Sequence, residues 1–465
     1  MRFRIGWLAL AVVLIATACA GKSSKGATGS NTTTTVNAAT AACANAKLTS
    51  SETGVSPTTI TVTVIADVNN TVKPGLFQGS WNGVKAWGDY INANGGLACR
   101  KVVVKEADSK LNPTDAANAL SAACGDSIAT VGTTALFLQN VSPMLDCKDK
   151  AGAKIGLPDI AELQTEAAQQ CAPMSYATLP TGYSCPYDSS KGGPRTFHVG
   201  YTQYDYYLKK YGATALHGAF IIPKDLASTI AATMPIFRAE NRMGIKSDYE
   251  KGKSGAGPDA TQAGYTEVAQ AIKQHNSTYA RNGTDYSGTL AMRLEAQAQG
   301  VNTVKVWDCS LQCYDKRLLA GGSAVEGQYV WLNFLPIEDG NANPELANFL
   351  KYDKSPDGFG AQAWIAGEIF AQAVKDTMAA HNNDPNSITR ANLLAAIANM
   401  HSFNAGGMIP TIDVGDRKGS TCLVGMQVQN GKFVRIDPAQ PGTFDCDGNK
   451  PPMTLTIDPA AEYHG

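Results

Sequence analysis

Among the 465 residues, the side chains with the widest chemical reach are eleven cysteines and six histidines. The histidines, His198, His217, His275, His381, His401 and His464, form no HExxH or comparable ligand spacing. No GxSxG elbow supplies an activated serine, and no P-loop supplies a phosphate cradle. Cys309 and Cys313 stand close enough for zinc, but no companion pair or nearby His completes a tetrahedral set. The residues therefore name no catalytic group, no metal site and no cofactor. Disulfides suit the cysteines better. Setting Cys19 aside leaves 11 − 1 = 10, an even number, as expected of an exported chain. Spacing suggests Cys309 with Cys313, Cys422 with Cys446, Cys99 with Cys124 and Cys147 with Cys171, with Cys43 left for Cys185. Connectivity does not follow from sequence, and only the first two pairs have spacing strong enough to defend.

Export is written at the start of the chain. Arg2 and Arg4 precede an apolar run from Ile5 to Ala16, followed by small residues. This is a secretion signal, too short to span a membrane. Ala16, Thr17, Ala18 and Cys19 resemble a bacterial lipobox, in which the cysteine is acylated and becomes the mature N-terminus; Ala16 stands where Leu, Ile or Val is usual. A plain signal cut near Ala18 or Ala20 is the competing reading. Residues 20–50 are rich in Ser, Thr, Ala, Asn and Gly, too poor in large apolar groups to fold, and are expected to form a tether. No later apolar run is long enough to span a membrane. With charged residues at 17% and a net charge of -1, there is no basic field to hold nucleic acid.

Any binding site must be positioned by the elements that follow. ITVTVIAD (60–67) and KVVVKEAD (101–108) alternate as strands. Between them, Val84, Trp87, Tyr90 and Ile91 draw one stripe down a helix that Gly95 and Gly96 stop. A strand, helix, strand unit of this kind implies a parallel pair with a right-handed crossover. Parallel sheets open their crevice at the strands' carboxyl ends, so the loop from Asp67 to Phe77 is expected to face a ligand. The rhythm continues with a helix at 114–125 capped by Thr114 or Asn112, a strand at 128–132, the small loop 133–135, a helix at 140–152 and a strand at 153–160. Residues 161–195 break it and read as a long connection to a second set. That set has strands opening 195–212 and at 218–223, 245–251, 276–283, 304–308 and 327–334. Its helices lie in 195–212 and at 226–244 (with Pro235 inside), 265–275 and 284–300. Residues 336–344 read as another crossing. A buried helix at 359–380, an amphipathic helix at 387–400 capped by Ser387 and a hairpin at 422–436 on the Asn430, Gly431 turn follow. Trp87 and Trp364 lie on apolar stripes and read as core. The tail after Pro438 carries little pattern.

In their order and spacing these segments resemble a known family. The carriers are the strand and Gly-containing loop of 65–79, the helix ending NANGG (92–96), the Cys99, Arg100 turn into KVVVKEADSKLNP, VGTTA (131–135), EGQYVW (326–331), GFGAQAWIAGEIFAQAV (358–374) and QVQNGKFVRI (427–436). The chain is similar to the type I periplasmic-binding-protein fold, in its branched-chain amino acid (Leu/Ile/Val) class of ABC-transporter substrate-binding proteins, over residues 56–437. The resemblance implies an α/β chain of two lobes, each a parallel sheet flanked by helices, joined by three crossings. It places the first lobe at 57–165, the second at 192–334, a return to the first at 338–417 and a last hairpin in the second at 418–437. A ligand would bind between the lobes. Thr133, Thr134 and Ala135 would take its carboxylate, with further contacts from Asp159 and Ile160. Tyr201, Tyr204 and Tyr286 would form aromatic walls, Asp308 would hold an ammonium, and Phe77 would face the cleft from its loop. The acids Asp159 and Asp308 would lie on different lobes with nothing beside them to support hydrolysis. What the resemblance implies is a lipid-anchored protein on the outer face of the cell membrane. It would capture an amino acid or related small polar molecule for the permease subunits of an ABC importer. A lipoprotein that senses a ligand for a membrane signalling partner is the alternative. The insertion at 161–195 and the cysteine count exceed the family's pattern.

Overall fold

The computed structural model describes residues 43, 46–180, 185, 193–212, 214–446 and 450–464. The expected signal peptide 1–19, its Cys19 and most of the expected tether lie outside the described residues. The folded body begins sooner than residue 51. The Thr49 amide donates to Asn386 Oδ1 at 2.8 Å, and Arg100 Nη2 donates to the Thr49 carbonyl at 3.0 Å. Hydrogen bonds thus hold part of a polar stretch, which composition does not reveal.

The first lobe is built on strands β1 (Thr59–Ala66), β2 (Lys101–Asp108), β3 (Ala129–Thr133), β4 (Asp159–Ala161) and β5 (Ser175–Ala177), all parallel, in the order β2-β1-β3-β4-β5. Val62, Val64 and Ile65 of β1 are fully buried on both faces, as expected of a central parallel strand covered by helices. Helix α1 (Gln78–Ala93) follows β1, and Gly95 and Gly96 end it at φ of +102° and +82°. Helix α2 (Pro113–Asp126) starts where Asn112 accepts from the amides of Thr114 and Asp115.

The next expectations need correction. The helix at 140–152 is only Ser142–Leu145, and the strand at 153–160 shrinks to β4. Gly156 at φ +92° and Pro158, which has no amide to donate, keep the preceding residues out of the ladder. The connection 161–195 is not featureless, because it carries the helical turn Ala167–Gln170 and β5, which extends the sheet. Cys124 bonds Cys147 with Cα atoms 5.7 Å apart, which excludes the pairs Cys99 with Cys124 and Cys147 with Cys171. Cys171 bonds Cys185, which excludes Cys43 with Cys185. Cystine partners must bring their Cα atoms within about 7 Å, and here the sheet order, not chain spacing, sets that approach. Cys43 and Cys99 are each disulfide-bonded as well. Cys309 with Cys313 and Cys422 with Cys446 pair as expected.

The second lobe holds β6 (Arg195–Val199), α3 (Thr202–Tyr211), β7 (His217–Pro223), α4 (Ala227–Met243), β8 (Lys246–Lys253), α5 (Thr266–His275), β9 (Tyr279–Asn282), α6 (Tyr286–Ala298), β10 (Val306–Cys309) and β11 (Gln328–Leu332). The chain then returns to the first lobe as α7 (Pro344–Tyr352), α8 (Gly358–Ala380) and α9 (Arg390–Ala398). It ends in the second with β12 (Val424–Gln429), β13 (Lys432–Asp437), β14 (Met453–Ile457) and α10 (Pro459–Glu462). The second sheet runs β13-β12-β11-β10-β9-β7-β8, parallel from β11 to β8, with β12 antiparallel both to β11 and to its hairpin partner β13 across the turn at Asn430 and Gly431. Helix α9 is capped by Thr389, whose side chain accepts from the Asn392 amide. Ser387 instead donates to the Asp384 carbonyl, a turn that displaces the expected cap. The tail after Pro438, read as carrying little pattern, holds two elements: β14 pairs antiparallel with β6, and α10 follows it.

Candidate functional site

At the carboxyl edge of the first sheet, buried carboxylates tie the loops together. Asp67, fully buried, accepts from Ser109 Oγ at 2.7 Å and from the amides of Leu111 and Leu136 at 2.7 and 2.8 Å. The loops after β1, β2 and β3 are thereby fixed to one another, and the Leu136 amide is already engaged. Asp159 accepts from Thr133 Oγ1 at 2.6 Å, Thr130 Oγ1 at 2.8 Å, Ser175 Oγ at 2.6 Å and Gln169 Nε2 at 3.0 Å. A buried carboxylate must be saturated in this way, so Thr133 and Asp159 are spent on each other. Thr134 Oγ1 bonds Glu162 Oε2 at 2.8 Å, which Ser80 Oγ also reaches at 2.5 Å. Burial raises the Glu162 carboxyl well above its ordinary range, against these two hydrogen bonds. Ala135 and Ile160 are packed in the apolar core. Phe77 is buried edge-on against Phe359, with centroids 4.9 Å apart.

The second sheet ends on a charged cluster. Asp308, at the end of β10, accepts from Tyr207 OH at 2.6 Å, Tyr279 OH at 3.0 Å and Arg281 Nη1 at 2.5 Å. The same Nη1 reaches Glu240 Oε1 at 2.7 Å and Tyr204 OH at 3.3 Å. Burial pushes the Glu240 carboxyl up to about 7, with Arg281 pulling it down and Asp308 pushing it further up. Asp308 is thus paired within the protein. Tyr201 lies beneath the Lys450 ammonium, and Tyr286 is stacked by the Arg317 guanidinium 4.3 Å from its centroid.

A cavity of about 520 Å³ opens between the lobes. The first lobe supplies Thr165, Glu166, Ala167 and Gln170, and the crossings supply Leu179, Ser420 and Thr421. The second lobe supplies most of the wall. It includes Phe197, Ala231, Ala232, Pro235, Leu311 and Trp331, with Tyr204 and Arg281 at the charged end. Most of these side chains are apolar, yet four buried polar atoms at its wall have no hydrogen-bond partner among the described residues. They are Arg281 Nε, Gln203 Oε1, Gln170 Oε1 and Asn333 Oδ1. A buried polar group left unpaired costs about 1–3 kcal/mol. These atoms are closed off from solvent and meet an occupant only if their side chains turn. The apolar wall with its few polar side chains suits an amphipathic occupant. Polar contacts cross the cleft among the described residues. Lys73, in the loop after β1, pairs with Asp285 and reaches Ser287 Oγ at 3.3 Å, and Ser228 Oγ donates to Glu166 Oε1 at 3.2 Å.

Of the ligand-binding residues named from sequence, Tyr204 alone lines this cavity. Sequence reasoning missed Arg281, Gln203 and Asn333. Arg281 had a signal, being a cation within the short strand TYARN of a sheet that helices cover, where it must be paired. His401, Asp413 and Asp416 bring potential metal-ligand atoms within 4.8 Å of one another, but on the surface and with Lys418 already 2.6 Å from Asp416.

Two lobes of parallel sheet flanked by helices, with a cavity between them reached by three crossings, define a type I periplasmic binding protein. The family profile described as periplasmic binding protein matches residues 59–432, and the chain belongs to that family. Solved structures agree. A substrate-binding protein of an ABC transporter from Aeropyrum pernix covers 84% of this chain and 96% of its own, with 15% identity and a TM-score of 0.64. A leucine-binding protein from Thermotoga maritima covers 81% and 97%, with 16% identity and a TM-score of 0.62. A fatty acid ABC transporter substrate-binding protein from Thermomonospora curvata covers 90% and 97%, with 13% identity and a TM-score of 0.63. At such identities the likeness is one of fold. No curated protein matches in sequence. Membership implies an extracytoplasmic location, and among the described residues no helix is long and apolar enough to cross a membrane. The relatives named here are substrate-binding proteins, not enzymes.

Proposed function

We propose that this chain captures a small organic solute, an amino acid or a related compound with a sizeable apolar body, between its lobes and delivers it to the permease subunits of an ABC importer. It works as a binding protein without catalysis, held at the outer face of the cell membrane by lipid on Cys19. The observation that carries the reading is the interlobe cavity, apolar along most of its wall and edged by unpaired polar atoms at Arg281, Gln203 and Asn333. Its volume suits a ligand of this size. Thr133 and Asp308, which would grip the two ends of an amino acid in the resembling proteins, are engaged internally. Recognition therefore rests on the apolar body and on the groups around Arg281. Relatives of the same fold are named for leucine and for fatty acid, both with apolar bodies.

Calorimetric titration and thermal-shift measurement of residues 20–465, with disulfides formed, test capture. The panel is L-valine, L-leucine, L-phenylalanine, benzoate, hexanoate and octanoate. A ligand specific to the folded state adds about 2.7 kcal/mol of stability at a hundredfold excess over Kd. Silence across the panel with a cooperative melt counts against an apolar-bodied ligand. For anchoring, Cys19→Ala should move the protein from the membrane fraction to the soluble fraction, and unchanged partitioning counts against the lipid.

A further inference from the structure

We propose that the C-terminal extension, residues 453–462, is a built wall of the ligand cleft and limits the length of apolar body that the cleft admits. The family match ends at residue 432, before this segment begins. The inference rests on capture between the lobes.

Three independent contacts pin the extension. β14 pairs with β6 from Met453 opposite Val199 to Ile457 opposite Arg195. Leu455 and Ile457 are buried in one apolar cluster with Phe197 and Tyr204, the latter at the charged end of the cavity. Arg238 of α4 holds Glu462, with Nε 2.6 Å from its carboxylate and Nη2 2.8 Å from its carbonyl. Upstream, the Cys422–Cys446 cystine fixes the start of the tail beside Ser420, Thr421 and Leu423, which line the same cavity.

From this anchored strand, Asp458, Pro459 and Ala460 reach the cavity wall. They share the wall with α4, which is bulky at Pro235 and Ile236 and small toward its start. Along α4 the lining positions include Ala227, Ser228, Ala231 and Ala232. Small residues on a helix leave space, and the extension bounds that space. The extension's own surface is apolar at this point, beside Arg195 of β6, which pairs with Ile457 and also lines the cavity. Asp458 spends its carboxylate on the amides of Ala460 and Ala461 as the cap of α10, leaving Pro459 and Ala460 as the surface. The polar atoms without partners belong to Gln170, Gln203, Arg281 and Asn333, none of them on the extension. A ligand whose apolar body reaches this wall meets Pro459 and Ala460. Chain length is then read by Pro459 and Ala460, two residues that no binding-lobe motif supplies.

The test uses residues 20–465 and the same six-compound panel. Ala232→Trp narrows the cleft from α4, Ala460→Trp narrows it from the extension, and Ala460→Ser is the conservative control. The expected result is that both tryptophan variants lose at least tenfold in affinity for the longest probe bound, with the Ala460→Trp loss smaller for shorter probes and Ala460→Ser close to wild type. Hydrogen exchange in the unsubstituted chain gives a second reading that no folding defect can confuse, since the amides of 460–462 should slow at least threefold when the best probe is present. Loss of binding in Ala232→Trp alone, with no added protection at 460–462, overturns the wall and leaves capture standing. Binding unchanged in both tryptophan variants, or absent from the wild type, overturns capture and the wall together.

Discussion

Arg281 shows how much of this protein depends on a single charge. Its Nη1 joins Asp308, Glu240 and Tyr204, and Asp308 and Glu240 are fully buried. Removing one partner of a buried ionic group strands the others, at about 3–5 kcal/mol. Arg281→Met should lower unfolding stability by that order in urea titration, and Glu240→Gln in the same chain should recover part of it. A loss below about 1 kcal/mol would mean that water already reaches the cluster. Glu368 makes a separate, pH-dependent prediction. Burial on α8, with the Glu345 carboxylate nearby, pushes it up to about 7, and Trp87 Nε1 donates to it at 3.1 Å. Near pH 4 both folded and unfolded chains hold the proton. As pH rises toward 7 the unfolded chain ionises first, so this group's contribution to stability falls, and it levels off above 7. Glu368→Gln keeps an acceptor for Trp87 and removes the decline. The variant should equal wild type near pH 4 and exceed it at pH 8 by on the order of 2–3 kcal/mol, as read from denaturant midpoints across pH. Sequence shows that acids such as Asp159 and Asp308 sit in apolar strands and must be paired. It does not show the partner, because Ser175 and Arg281 reach them through the sheet order and not along the chain.

The pairing of α1 with α8 is the element that fixes the first lobe. A Cβ on Gly83 would stand 2.1 Å from the Gly360 carbonyl oxygen, and one on Gly367 would stand 2.4 Å from the Trp87 ring. The helices can approach this closely only because both positions lack side chains. Overpacking costs about 1–3 kcal/mol where atoms can shift, and at Gly83 the opposing atom is backbone. Gly83→Ala should therefore cost about 3 kcal/mol, with Lys85→Gly at an exposed position of the same helix costing about 1 kcal/mol through propensity alone; chemical denaturation separates the two. Equal losses would show that the contact yields. Helices of this kind were legible because their apolar stripes run for several turns and bury Trp87 and Trp364 as expected. Short elements were not. β5 has three residues and pairs only with β4 at the edge of the sheet, and β14 takes its place from β6, more than 250 residues earlier in the chain. Helix α7 did carry a signal that the reading of 336–344 as a crossing passed over. Asn343 accepts from the amides of Glu345 and Leu346, and Pro344 opens the first turn. The site was less legible than the fold for the same reason, since its walls come from α4, the crossings and the tail, and none of them carries a local pattern for binding.

At the scale of the whole molecule, the proposed capture between the lobes implies a balance between open and closed forms, and Lys73 is placed to act on it. It lies in the loop after β1, the loop expected to face a ligand, and it reaches across the cleft to Asp285 and Ser287 at the start of α6. Asp285 also caps α6 through the amides of Ser287 and Gly288, so its carboxylate is held in place before the lobes meet. A pair made only in the closed form shifts the population toward closure by its own free energy, and a ligand that touches both lobes adds to the same shift. With both side chains partly exposed, the pair contributes about 0.5–1 kcal/mol. Lys73→Met removes the charge and leaves the Asp285 cap intact. The variant should scatter X-rays with a larger radius of gyration in the absence of ligand. It should bind the best panel compound about two- to fivefold more weakly, the factor that this free energy converts to at 1.4 kcal/mol per tenfold. The wild-type advantage should shrink as salt rises from 10 mM to 1 M, since partly exposed pairs are screened over about 3 Å at the higher value. Equal affinity at low salt, with unchanged scattering, would place the closing force in the buried apolar wall and the Glu166 to Ser228 contact instead.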